Sequence, residues 1–196
     1  LFHSLFDVDA APGLYNVQLV VELKGALDGE RLRQAVEQVV ARHESLRARF
    51  PSDDRGRPVQ VIVGGGEVPF VQEVMSGDAA FSLVEEAVAR HGVVPFDLAD
   101  DALVRIGVFS VDDVHRLSVV IHHMVIDGWS VPIFMREVFQ VYAGLGVSLG
   151  EPSSLRRFYE WYAAQDVDSS VEVWAQVLDG LEGPCLVAPQ AGEDRP

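Results

Sequence analysis

The segment that most constrains this chain is the apolar run at residues 114–121. It passes without a break into His122-His123-Met124-Val125-Ile126-Asp127-Gly128-Trp129-Ser130. Residues 103–109 read as a strand and residues 114–121 as its partner, with Asp112-Asp113 as the hairpin turn between them. Beyond the histidines, Ser130 is positioned to cap a helix that tolerates Pro132 in its first turn. Ile133, Phe134, Val138, Val141 and Tyr142 give that helix a buried face, and Gly144 and Gly146 end it.

Upstream, residues 14–23 alternate at period two, with Tyr15, Val17, Leu19, Val21 and Leu23 on one side and Asn16, Gln18 and Glu22 on the other. Asp28 stands at an N-cap position. Leu32, Ala35, Val36, Val39, Val40 and His43 then recur at helical spacing, so His43 reads as a structural residue on an apolar stripe. Residues 59–63 suggest a short strand ended by Gly64-Gly65-Gly66, which lacks the Lys and Ser/Thr of a phosphate-binding loop. Phe81, Val84, Ala87 and Val88 predict a helix over 80–90 that stops at His91-Gly92, and Pro95-Phe96-Asp97-Leu98 reads as an extended link. Two more helical patterns cover 153–165 and 169–181, and the tail from Pro189 has linker composition. Strands and helices mix along the chain, which predicts an α/β class, an α+β sandwich, rather than a doubly wound nucleotide fold.

Composition narrows the partners. Thirty acidic against fifteen basic residues leave a net charge of −15, which repels phosphate backbones and anionic membranes. Nucleic acid and membrane are therefore not expected partners. No apolar stretch is long enough to span a bilayer, and Leu1-Phe2-His3-Ser4 lacks the regions of a signal peptide, so a cytoplasmic protein is the plain reading. The lone Cys185 has no internal disulfide partner and no cationic neighbour to activate it, and it reads as a passenger.

Adjacent histidines on a continuing strand point to opposite faces, so His122 and His123 should have different jobs. Alternation alone does not say which is which. Opposed imidazoles cannot share one ion, and no third ligand stands at a usual spacing, which argues against a metal site. That both histidines merely fill the core is the alternative, and the downstream Asp127 tilts the reading toward a site.

The whole motif resembles the HHxxxDGWS signature of nonribosomal peptide synthetase condensation domains. Arg42-His43-Glu44-Ser45-Leu46-Arg47-Ala48-Arg49-Phe50 resembles that family's RHExLRxxF, Pro95-Phe96-Asp97-Leu98 its PFDL, and Phe158-Tyr159-Glu160-Trp161 its later aromatic motif. The stretch from Trp174 to Leu181 is similar to the one closing the family's first lobe. The motifs occur in the family's order and span nearly the whole chain.

The resemblance implies the N-terminal half of a chloramphenicol-acetyltransferase-like fold, a mixed sheet with helices packed on it. Residues 1–188 would form that lobe, beginning inside the opening motif and lacking the C-terminal lobe, with 189–196 a linker or truncation tail. The implied activity is amide-bond-forming acyl transfer from a carrier-bound peptidyl or aminoacyl thioester to the amine of a carrier-bound acceptor. The partners would be upstream and downstream peptidyl carrier proteins that hold substrate on phosphopantetheine, with no cofactor or metal on the chain itself.

By position, the resemblance makes His123 the catalytic residue and His122 structural, while Asp127 holds the motif loop through an arginine for which Arg47 is the matching candidate. Gly128 would permit the turn and offer its N–H toward the thioester, and Trp129 and Ser130 are candidate channel-lining residues. Leu1-Phe2-His3-Ser4-Leu5-Phe6, Trp129-Ser130-Val131-Pro132 and Gly180-Leu181-Glu182-Gly183-Pro184 resemble domains taking a D-configured donor and an L-configured acceptor. The isolated lobe is expected to be inactive and to expose the surface that meets its second lobe. A noncatalytic carrier-binding module and a coenzyme-A-dependent acyltransferase of the chloramphenicol type are the rival readings.

Overall fold

Alternation near the start becomes β1 (Asn16–Lys24), and Asp28 caps α1 (Gly29–Arg42) by accepting the Arg31 N–H at 3.0 Å. A 3₁₀ turn, Ser45–Arg47, leads into β2 (Ala48–Arg49), which pairs antiparallel with β3 (Val61–Ile62), the centre of the expected 59–63 strand. β4 (Phe70–Val74), α2 (Ala80–Val93), β5 (Val104–Val111) and β6 (Val114–His122) follow, then α3 (Ser130–Tyr142), α4 (Leu155–Ala163) and α5 (Val167–Val177). The computed structural model describes residues 13–65, 67–146, 149–181 and 183. The opening motif at residues 1–6, Cys185, the tail from Pro189, and Glu182 and Pro184 of the subtype motif lie outside them.

The sheet runs β1-β6-β5-β4, with β4 parallel to β5 and the other pairs antiparallel, so the expected mixed sheet is present. The β5–β6 hairpin turns at Asp112-Asp113, where Asp112 takes a positive φ of 51°. Sequence periodicity misses β4. Its Gln72 and Glu73 dilute the apolar signal, and four of its five residues are exposed.

The central strands are buried on both faces, and side-chain parity sorts them into two layers. Val104, Ile106 and Val108 of β5 and Leu117, Val119 and Ile121 of β6 face Leu32, Val36 and Val39 of α1 and Phe134 and Val138 of α3. On the opposite face, Phe109 and Val111 pack under Ala80, Val84, Ala87 and Val88 of α2. Each fully buried aliphatic side chain contributes about 1.5–3 kcal/mol relative to exposure.

The structure corrects two expectations for α2. Phe81 is 63% exposed rather than part of the buried face, whose stripe runs through Ala80, Val84, Ala87 and Val88. The helix also continues through His91-Gly92 to Val93, because the sheet beneath it receives its last carbonyls.

The chain divides into two compact units, Leu1–Leu155 and Arg156–Pro196. In the second, Asp166 caps α5 by accepting the Ser169 N–H at 3.0 Å, and Phe158 packs against Tyr159, Trp161 and Tyr162 with centroids 5.6, 5.9 and 6.3 Å away. Among the described residues no helix is long and apolar enough to cross a membrane.

Candidate active site

β6 delivers the histidine pair. His122 is its last residue, in register with Asn16 of β1, and the His122 N–H donates to the Leu103 carbonyl at 3.0 Å. The ladder then gives way to a turn. The His123 N–H donates to the Tyr15 carbonyl at 2.8 Å and the Val125 N–H to the His122 carbonyl at 3.1 Å. Buried Val125 and Ile126 anchor the far side of that turn in the core.

The two imidazoles therefore occupy opposite environments, with His122 only 6% exposed and His123 on the surface. Strand alternation is not the cause, because the strand ends between them. The His122 ring lies between Tyr15 and Phe96, with centroids at 6.1 and 6.2 Å, and the Phe96 contact is edge-on at 87°. Its Nδ1 accepts the Met124 N–H at 3.3 Å, which leaves the ring proton on Nε2. Burial pushes the His122 pKa down to about 4, with the neighbouring His123 a lesser cause, so this ring is neutral at pH 7.

Asp127 begins the second half of the site. Its Oδ1 accepts the Ser130 N–H at 2.8 Å, and its carbonyl accepts the Ser130 and Val131 N–H groups at 3.1 and 3.2 Å. The Ser130 side chain, followed by backbone N–H groups, holds this exposed carboxyl below the usual range. Ser130 is thus the first residue of α3 and not its cap, a correction to the sequence reading. Asp127 does the capping from three residues back, because its short acidic side chain reaches the free N–H groups at the helix start.

The expected Asp127–Arg47 pair is not formed, and no ion pair joins them among the described residues. Arg47 sits in the turn after α1, where its guanidinium donates to the Val63 carbonyl beside β3, while the Asp127 oxygens are occupied at α3. Gly128 corrects a further expectation. Its φ is not positive and a Cβ there would meet nothing within 4 Å, so the turn does not require glycine. Trp129 is 89% exposed next to it, and Ser130 is exposed at the head of α3.

The Arg42-His43-Glu44 segment is a fastening. His43 Nε2 lies 2.7 Å from the carboxylate of Glu137 on α3, Arg42 Nε lies 3.3 Å from the same oxygen, and Glu44 accepts the Leu155 N–H at 2.8 Å. Glu137 is 7% exposed, a buried charge that needs both partners. His43 follows the last residue of α1 in extended backbone rather than lying on the helix stripe, and it ties that helix end to α3 through Glu137.

Sequence reasoning misses the polar layer behind His122. Gln18 donates to the Val88 carbonyl and the Ser118 hydroxyl at 2.8 and 2.9 Å, and His91 Nδ1 lies 2.9 Å from that hydroxyl. Arg105 joins it from β5. The available signal was parity, since Asn16, Gln18, Arg105, Ser118 and His122 all fall on the α2 face.

Residues 1–194 match the condensation domain family, and the chain belongs to it. Bacitracin synthase 1 of Bacillus licheniformis is 30% identical over 190 residues, covering 93% of this chain and 4% of that protein. Chondramide synthase cmdD of Chondromyces crocatus is 28% identical over 176 residues, 87% of this chain and 4% of that protein. The starter condensation domain of rhizomide synthetase shares the fold with a TM-score of 0.75 at 17% identity, over 93% of this chain and 46% of that one. The chain thus spans under a tenth of these synthases and under half of the solved domain.

Proposed function

We propose that this chain is the N-terminal lobe, over residues 1–188, of a condensation domain in a cytoplasmic nonribosomal peptide synthetase. The domain joins a carrier-bound donor thioester to the α-amine of a carrier-bound acceptor. The observation that carries the reading is the division of labour at the end of β6, in a chain of this family. A neutral, buried His122 fixes the turn, and an exposed His123 follows it directly, ahead of a helix held by Asp127.

An α-amine has a reference pKa of about 7.7–8.0, so a good part is already nucleophilic near pH 7 and a strong base is not demanded. His123 positions that amine or accepts its proton as the tetrahedral intermediate forms. General acid–base help contributes about 10²–10⁴ in rate, while effective molarities from positioning reach roughly 10⁵–10⁸ M, so positioning contributes more. Asp127 supports the loop by capping α3, and Gly128, Trp129 and Ser130 border the approach to His123. Substrates arrive on phosphopantetheine of upstream and downstream carrier proteins, and the second lobe completes the channel.

The test restores the second lobe and follows product by intact-protein mass spectrometry. It compares carrier-bound with coenzyme A donors and D- with L-configured ones. Product from carrier-bound donors alone is expected, with a D-donor preference from the subtype motifs. Equal or better turnover of the coenzyme A donor would contradict the reading, and no product from any donor would favour a noncatalytic binding module.

A further inference from the structure

α2 ends at Val93, and the carbonyls of its last turn have no partner within the helix. Two side chains of the sheet beneath receive them. Asn16 Nδ2 donates to the Gly92 and Val94 carbonyls, both at 2.8 Å. Arg105 donates through Nε and Nη2 to the His91 carbonyl at 3.2 and 2.9 Å, and through Nη2 to the Val94 carbonyl at 2.5 Å. A cation at a helix C-terminus is favourable. Even so, Arg105 is 8% exposed and forms no carboxylate ion pair among the described residues, so for stability alone it is an expensive choice.

What the guanidinium adds is placement. Its Cζ lies 4.1 Å over the centroid of the Phe96 ring, and that ring meets His122 edge-on at 6.2 Å. Asn16, which grips the same helix end, is the register partner of His122 across β1 and β6. The segment leaving α2 is thereby laid onto the His122 ring, whose Nδ1 in turn holds the Met124 N–H in the turn that presents His123.

We infer that Arg105 is a positioning residue for the histidine turn, acting through Phe96 to fix the His122 ring and, through it, the backbone that carries His123. The inference rests on the reading of His123 as the reacting group. Arg105 itself touches no substrate. Its planar, stacked fork is the property used, so lysine is not an equivalent replacement.

The test has two arms. Nitrogen NMR of the 196-residue chain reads the tautomer of His122, and turnover in the complete synthetase reads kcat and KM. The variants are Arg105→Met and the milder Arg105→Lys, and Val84→Ala is the comparison because it opens a cavity beneath α2 away from His122. The wild type should hold a single Nε2–H tautomer, and both Arg105 variants should mix tautomers. Arg105→Met should lower kcat by on the order of 10²-fold with KM within about twofold, as misplacement without lost binding requires. Val84→Ala should lose stability with tautomer and kcat intact. Arg105 variants that keep the single tautomer and the wild-type kcat would overturn the inference, as would a Val84→Ala variant that moves both readouts equally. The NMR arm needs no turnover, so absence of wild-type product faults the condensation reading and not the placement of His122.

Discussion

His91 and His122 are both held neutral, each with its pKa pushed down to about 4 by burial, to which Arg105 adds repulsion for His91. Unfolding returns them to the ordinary 6.5, so between these values the unfolded chain binds more protons than the folded one. Their contribution is fully present above about pH 6.5 and is lost as pH falls toward 4. The depressed carboxyls of Glu22, Glu30, Asp53 and Asp127 act lower, through the carboxylate range. Urea midpoints should therefore already fall between about pH 7 and 5 with an unchanged slope, whereas a flat midpoint would show that neither ring is buried in solution. Gly128 gives a second residue-scale prediction. Nothing in the fold requires glycine there, so Gly128→Ala should keep or raise the melting temperature, by about 0.4–1 kcal/mol in stability. A clear drop in melting temperature would mean that the turn needs the glycine after all.

Among the elements, α2 is held by its apolar stripe on the sheet and also by side chains of the sheet reaching into its last turns. Replacing glycine with alanine inside a helix ordinarily stabilises by roughly 0.5–1 kcal/mol. At Gly92 the sign should invert. A Cβ there would stand 2.2 Å from Gln18 Oε1, and the Gln18 amide is tied to the Val88 carbonyl and the Ser118 hydroxyl. Thermal melts of Gly92→Ala should show a loss, and a gain would mean that the polar layer yields freely. The same layer shows what periodicity can and cannot disclose. The α1 stripe, the β5–β6 hairpin and the Asp28 cap were legible because each is a local pattern. β4 was not, since Val71 to Val74 are all exposed and Gln72 and Glu73 leave no clear apolar alternation. Nor was the end of α2, since His91-Gly92 stops a helix in isolation, whereas Arg105 and Asn16 receive its carbonyls from strands far away in sequence.

At the scale of the whole chain, the α/β class followed from alternating element types, while the mixed sheet with helices packed on it was implied by the resemblance, itself drawn from motifs in order. The site was partly legible. His122 and His123 were expected to face opposite ways, and one is buried and the other exposed, through a turn and the rings of Tyr15 and Phe96 rather than through strand alternation. The Asp127–Arg47 link was carried by resemblance, and local geometry replaced it with a cap on α3. If His123 acts while His122 holds, the two roles separate in the turnover of His123→Ala in the complete synthetase, read beside its melting curve. Product formation should fall by on the order of 10²–10⁴ with the melting temperature unchanged. Undiminished turnover, or a loss of turnover that merely follows a loss of folded protein, would contradict that division.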